Sequence, residues 1–309
     1  MTDRTGPRLL AVSQIPPDLR AALTQHYGLA DHAGGSAPGY DVAVTMSVHG
    51  VNAALMDALP DLKLIACNGA GLERVDLAEA KRRGIAVCHT PDELAEDVAD
   101  GAIALTYAIM RRVVEADRFV RAGRWTKERM APSRRLAGKT VGIFGLGRIG
   151  RVVAQRAQAI GMHVLYSGPR AKPTMPYPFV ANILELAERS DVLILSCPGG
   201  EDTRHLVGQP VLEALGPYGY LVNVARGSVV DEAALIAALQ ERKIVGAALD
   251  VFACEPNLDP RFLALDNVVL QPHSASITHE TRAAMLARLI GDIEAYAEGR
   301  PFHNAAASA

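Results

Sequence analysis

The chain has 309 residues, about half of them apolar, and a formal charge of −2 at pH 7. That length allows two domains with cores of their own, and the near-neutral balance argues against a protein built around nucleic acid or an anionic membrane surface. No run approaches the roughly 20 apolar residues that span a bilayer, and the opening "MTDRTGPRLLAVSQ" has neither the apolar core of a leader peptide nor an anchor. Cys67, Cys88, Cys197 and Cys254 lie far apart without CxxC spacing. They read as reduced thiols rather than a disulfide frame or a zinc site, and the cytoplasm is the expected compartment.

Taken in order, the first third carries short apolar runs at "LLAVS", "DVAVT", "KLIAC" and "IAVCH", separated by stretches of helical spacing such as "VNAALMDALP". Continuous rather than alternating apolar runs suit parallel strands buried on both faces. Next comes a long helical candidate, "PDELAEDVADGAIALTYAIMRRVVEADRFVRAGRW". Thr90, Pro91 and Glu93 read as its capping-box start, with proline just inside the helix. Its apolar residues cover more of the circumference than one face needs, which suits either a helix buried between the domains or one that also packs on a second subunit. The strand pattern then repeats at "KTVGIFG", "HVLYS", "DVLILSC", "GYLVNVA", "VGAALDV" and "NVVLQPH", and "THETRAAMLARLIGDIEAYAEG" closes the chain as an amphipathic helix. The expected fold class is α/β, with two doubly wound parallel-sheet domains and a cleft between them. A flavodoxin-like substrate domain over 1–98 is completed by 285–309, and a Rossmann dinucleotide-binding domain spans 99–284.

The stretch "TVGIFGLGRIGRVVAQRAQAIG" holds Gly145, Gly147 and Gly150 as GxGxxG between a strand-like run and an amphipathic helix. Gly145 suits the tight turn, Gly147 a close approach of backbone to a pyrophosphate, and Gly150 the packing of helix on strand. A helix starting near Arg148 points its positive end at the phosphates. About twenty residues on, where an Asp or Glu would grip an NAD ribose, the chain instead reads Ser167, Gly168, Pro169 and Arg170. A carboxylate would repel a 2′-phosphate, whereas a Ser–Arg pair would attract it, so NADPH is the expected cofactor in preference to NADH. Lys172 either adds to this positive field or is a solvated surface lysine, the second reading being preferred.

Three further residues follow strand ends, where open α/β sheets collect their ligands. Arg226 lies in "NVARGSVVDE", Glu255 in "GAALDVFACEP" after Asp250, and His273 in "VVLQPHSAS". A keto acid needs a cation for its carboxylate, and Arg226 offers a planar, bidentate one. It also needs a proton for its carbonyl oxygen, which an imidazole can give near neutral pH, so His273 is the candidate acid. Glu255 is the candidate partner of that imidazole.

The stretches "NGAGLERVD" (68–76), "TPDELAEDVAD" (90–100), "VGIFGLGRIG" (141–150), "NVARGSVVDE" (223–232), "GAALDVFACEP" (246–256) and "QPHSAS" (271–276) together resemble the D-isomer-specific 2-hydroxyacid dehydrogenase family over essentially the whole chain. The resemblance implies that Arg226, Glu255 and His273 form the active site, and that Asp250 contacts the nicotinamide carboxamide. It also implies that the backbone amides of Ala70 and Gly71 hold the substrate carboxylate. Cofactor contacts are implied for Arg148, Ile149, Cys197, Thr203, Val224 and His273. "EDVAD", "LGPYGYLVNVARG" and the basic "SGPR" are most similar to NADPH-linked glyoxylate/hydroxypyruvate reductases and plant hydroxyphenylpyruvate reductases. That match implies a homodimer formed through the cofactor domain. The sequence departs from the family pattern at Glu73, usually Asp, at "CPGGEDT" after Ser196, and at Ser274. Residues 45–50 and Trp125 to Met130 are expected to shape the pocket, with Trp125 packed at the dimer interface. The second reading is a dinucleotide-sensing binding protein like the C-terminal-binding transcriptional corepressors. The scarcity of chain beyond the two domains and the basic cofactor loop count against it.

Overall fold

The computed structural model describes residues 6–306. The chain divides into two compact units, one made of the residues up to Leu94 together with those from Thr278, the other of Ala95–Ile277. Both junctions fall at the head of a helix, a few residues before the boundaries expected at 98/99 and 284/285. Cutting inside either helix would sever its own hydrogen-bond ladder.

Unit 1 runs β1 (Leu9–Ala11), α1 (Pro17–His26), β2 (Leu29–Asp31), β3 (Val42–Met46), α2 (Ala53–Ala58), β4 (Leu64–Asn68), α3 (Leu77–Arg83) and β5 (Ala86–His89). Its strands are all parallel, in the order β2-β1-β3-β4-β5. Neighbouring residues of each strand serve opposite faces: Leu9, Val42, Val44 and Leu64 pack with Leu289 and Ile293 of the C-terminal helix, while Leu10, Ala43 and Ile65 pack with Met56 and Leu59. The continuous apolar runs thus reflect burial on both sides of the sheet.

Unit 2 begins with α4 (Ala95–Met110) and α5 (Val113–Arg121), then β6 (Thr140–Phe144), α6 (Arg148–Ala159), β7 (His163–Ser167), α7 (Ile183–Glu188), β8 (Val192–Leu195), α8 (Gln209–Leu215), β9 (Tyr220–Asn223), α9 (Glu232–Gln240), β10 (Gly246–Leu249) and β11 (Val268–Leu270). The chain then returns to unit 1 as α10 (His279–Ala297). The sheet is parallel, in the order β11-β10-β9-β8-β6-β7. Beyond β7 the outer edge is a single bridge: Tyr166 pairs in parallel with Phe179, donating to the Pro178 carbonyl at 3.1 Å and accepting from the Val180 N–H at 2.8 Å. The connections therefore reverse direction at β6, and crevices at such reversals are where doubly wound sheets bind their ligands.

One expected element is corrected. The helix expected from Pro91 to Trp125 is two helices, because Arg112 sits in the left-handed region at φ 54° and cannot continue a right-handed turn. The break is held: the Met110 carbonyl accepts from Arg134 N–H at 3.0 Å, and the Arg112 guanidinium reaches the Ala131 carbonyl at 3.2 Å. The start also lies later, at Ala95. Thr90 caps nothing there, since its hydroxyl accepts the Gly69 N–H at 2.9 Å.

Candidate active site

The glycine turn joins β6 to α6, and each glycine has its own reason. Gly145 takes φ +100°, and a Cβ on it would stand 2.6 Å from the Cys197 nitrogen. A Cβ on Gly150 would lie 2.1 Å from the Gly145 carbonyl oxygen, so the helix rests directly on the turn. Gly147, at the helix N-cap, would place a Cβ in open space with nothing within 4 Å. No side chain caps α6, which leaves its positive end facing that open side, with Arg148 and Ile149 opening the first turn. This cradle fits a pyrophosphate. Around it, Cys197 and Val224 are buried, and the Thr203 hydroxyl donates to the Pro198 carbonyl at 2.9 Å. Burial pushes the Cys197 thiol up to about 11, so it stays protonated.

At the end of β7, Ser167 is 1% exposed and its carbonyl accepts the Gly145 N–H at 3.0 Å. Its burial makes exposed Arg170 the member of the pair that an incoming anion meets. At Lys172, burial, then the charges of Arg151 and Arg170, hold the ammonium below its ordinary value. Three cations therefore share one neighbourhood beside the turn, and Arg151, in the first turns of α6, was not among the expected site residues. The loop that carries Arg170 and Lys172 is pinned from beneath by buried Tyr166. Its hydroxyl accepts the Lys172 N–H at 2.7 Å, and its ring packs on Phe179 at 5.3 Å between centroids.

Arg226, Asp250, Glu255 and His273 all belong to unit 2, and the fold brings their loops together. Arg226 follows β9, where Asn223 braces the turn by accepting the Ala225 N–H and donating to the Arg226 carbonyl, both at 3.0 Å. One guanidinium nitrogen donates to the Ala225 carbonyl at 2.7 Å. His273 follows β11 with φ 49°, its N–H on the Asp250 carbonyl at 2.8 Å. The Asp250 side chain, 2% exposed, accepts the N–H groups of Ser274 and Ala275 at 2.8 and 3.2 Å. Burial pushes that carboxyl up from its usual value despite these two bonds. Asp250 thus fixes the backbone on both sides of the imidazole, a contribution that its place after a strand did not reveal.

The imidazole Nδ1 lies 2.7 Å from a Glu255 carboxylate oxygen, with the two side chains 33% and 28% exposed. The other Glu255 oxygen accepts the Phe252 N–H at 2.9 Å. Burial opposes ionisation of Glu255, but hydrogen bonds from His273 and Phe252, with the charges of His273 and Arg226, outweigh it and hold the carboxyl below its ordinary value. Because a carboxylate only accepts, Nδ1 is the donor in this pair. Any proton given to a ligand must then leave from Nε2.

In unit 1, the loop after β4 offers the amides of Ala70 and Gly71, and neither donates a hydrogen bond within the described residues. Its carbonyls are held instead: His89 Nδ1 donates to Ala70 at 2.9 Å, the Thr90 N–H to Gly69 at 3.0 Å, and the Cys67 thiol to Gly71 at 3.8 Å. Burial pushes the Cys67 thiol up to about 12, which keeps it a donor. Two adjacent free amides on a clamped loop make a small anion nest. Trp125 is 62% exposed, and Val113 and Val120 on α5 are more than half exposed. Among the described residues no group of three or more His, Cys, Asp or Glu is placed to hold a metal, and no helix is long and apolar enough to cross a membrane.

Comparison with known proteins identifies the family. Residues 103–275, more than half the chain, match the family described as D-isomer specific 2-hydroxyacid dehydrogenase, NAD binding domain. The chain is 43% identical over 295 residues to a 2-ketogluconate reductase of Gluconobacter oxydans, covering 94% of this chain and 95% of that protein. It is 44% identical over 251 residues to a glyoxylate/hydroxypyruvate reductase of Arabidopsis thaliana, covering 81% and 80%. Among solved structures, the NADPH-dependent glyoxylate/hydroxypyruvate reductase of Sinorhizobium meliloti, in complex with NADP and malonate, matches with a TM-score of 0.92 and 37% identity over 98% of this chain and 97% of that one. A doubly wound sheet with a bare glycine cradle and a paired imidazole defines a dinucleotide-dependent oxidoreductase. The chain belongs to the D-isomer specific 2-hydroxyacid dehydrogenase family.

Proposed function

We propose that this enzyme reduces a small 2-keto acid, glyoxylate or hydroxypyruvate, to the 2-hydroxy acid with NADPH. The observation that carries the reading is the His273–Glu255 pair, which fixes Nδ1 as a donor and reserves Nε2 for the substrate. NADPH, when bound on the glycine turn, supplies the hydride. Arg226 takes the substrate carboxylate and draws charge from the carbonyl. The carbonyl oxygen takes the Nε2 proton as its carbon becomes tetrahedral, and the imidazole is left in the tautomer that Glu255 already holds. By themselves, the free amides of Ala70 and Gly71 in unit 1 suit a carboxylate.

The cluster of Arg151, Arg170 and Lys172 supports a cofactor bearing a 2′-phosphate, as does the NADP bound in the Sinorhizobium reductase. The exposed side chains of Val113, Val120 and Trp125 support a homodimer formed through this part of unit 2. Four cysteines without disulfide partners suit the cytoplasm. A dinucleotide-sensing corepressor is not favoured, since the relatives described above are reductases.

Oxidation of NADPH and NADH at 340 nm, with glyoxylate, hydroxypyruvate, pyruvate, 2-ketogluconate and a neutral aldehyde of similar size, tests the proposal. Turnover of a keto acid with NADPH preferred, and none of the aldehyde, is the expected result. Comparable efficiency on acid and aldehyde would remove the carboxylate clamp, and a preference for NADH would remove the phosphate subsite.

A further inference from the structure

The loop between β10 and the short turn at Pro260–Ala264 carries Glu255 without regular structure of its own. Something else has to fix it, because a misplacement of about 1 Å in a catalytic group can cost about a hundredfold in rate. Two contacts tie this loop to the segment that bears Arg226. Gly227 lies so close to it that a Cβ there would stand 1.9 Å from the Phe252 carbonyl carbon. In the first turn of α9, five residues beyond, Glu232 accepts the Ala253 N–H at 2.7 Å. The adjacent Phe252 N–H is the one that Glu255 accepts. Two consecutive amides are therefore held by two glutamates, one reaching forward to His273 and the other back to α9. Phe252 anchors the same backbone inward, edge-on to buried Phe262 at 6.2 Å. The charged groups facing Glu232 are Asp259 and Glu255 themselves, so it is an acceptor placed among like charges rather than a partner in an ion pair.

We propose that Glu232 is a positioning residue for catalysis: through the Ala253 amide it locks the Glu255 loop to the Arg226 turn and so keeps Nδ1 of His273 on Glu255 and Nε2 free for the substrate. The proposal rests on the reading of Glu255 and His273 as the proton-donating pair. Its chemistry requires an acceptor at the position of the Glu232 oxygen but no negative charge. Glutamine at 232 should serve, alanine should not, and aspartate, one methylene short, should fall between.

The test compares Glu232→Ala, Glu232→Gln and Glu232→Asp with His273→Ala in the full chain. Readouts are kcat, the KM for NADPH, and the 15N-histidine NMR spectrum, which reports the tautomer. Expected are a kcat about tenfold lower in Glu232→Ala with the NADPH KM within about twofold, a mixture of tautomers at His273, and recovery to within about threefold in Glu232→Gln. If Glu232→Ala does not fold, an intermediate loss in Glu232→Asp carries the same comparison. Wild-type kcat and tautomer in the alanine variant, or in the aspartate variant if alanine does not fold, overturn the proposal, as does a glutamine variant as impaired as alanine. An active His273→Ala would instead overturn the reading of the pair on which the proposal rests.

Discussion

Removal of the Arg170 guanidinium should change the choice of cofactor and leave the chemistry alone. A hydrogen bond to a charged group is worth about 1.5–3 kcal/mol when sheltered, whereas exposed ion pairs contribute about 0.2–1 kcal/mol. Arg170 stands exposed on its loop, which places its contribution near the top of the second range, at about 1 kcal/mol, or roughly a fivefold loss of NADPH affinity in Arg170→Ala. Reversing the charge in Arg170→Asp adds repulsion of similar size, for a total of about 2 kcal/mol and roughly thirtyfold. NADH, with no phosphate to lose, should hardly respond. The preference should also shrink as salt shortens the screening length from about 8 Å at 0.15 M to about 3 Å at 1 M. KM values for both coenzymes in wild type and the two variants, at low and high salt, provide the measurement. Equal losses for NADPH and NADH, or a salt-independent preference, would refute the assignment of this loop to the 2′-phosphate.

Glu255 is expected to stay ionised below the ordinary 4.5 of a glutamate, because its folded-state value is depressed. The stability it lends is then present above its unfolded value and lost as pH falls through the lower folded one. A 13C-carboxyl NMR titration, assigned with Glu255→Gln, should show the midpoint below 4.5; a midpoint at or above it contradicts the pairing. Tyr166→Phe keeps the buried ring but frees the Lys172 amide, so it should lower the NADPH-to-NADH preference about two- to fivefold without changing kcat. A variant with unchanged preference would show that the loop holds its shape without that hydroxyl.

Strands were legible in the sequence wherever both faces of the sheet bury a run, as at "DVLIL" and "GYLVN". The three residues of β2 escaped because the run ends in exposed Asp31 and has no β-branched residue, whereas β11, equally short and likewise never fully buried, reads Val-Val-Leu and stood out. The break at Arg112 was hidden for the opposite reason: apolar residues continue at helical spacing through it, and only the backbone torsion and the Arg134 bond to Met110 reveal the stop. The members of the candidate site were named by their chemistry and by following strand ends. Their supports were not, since His89 and Glu232 act on backbone groups 19 and 21 residues away, the Tyr166 hydroxyl turns back on an irregular loop, and no spacing rule announces a free amide at Ala70 or Gly71. Arg151 was not named beside Lys172 and Arg170, because a loop rich in proline gives no periodicity from which to infer its neighbours.

The return of α10 to unit 1 has a consequence for the order in which the protein is made. Unit 2 is one uninterrupted stretch of chain, able to close its core as soon as Ile277 has been added. Unit 1 must wait: Leu9, Val42 and Leu64 have no complete covering until Leu289 and Ile293 arrive. During synthesis the strands of unit 1 therefore leave the ribosome before unit 2 but are sealed after it, with an apolar sheet face open while nearly two hundred further residues are added. Nascent-chain chaperones that shelter apolar surface would find a longer-lived target in the sheet of unit 1 than in that of unit 2.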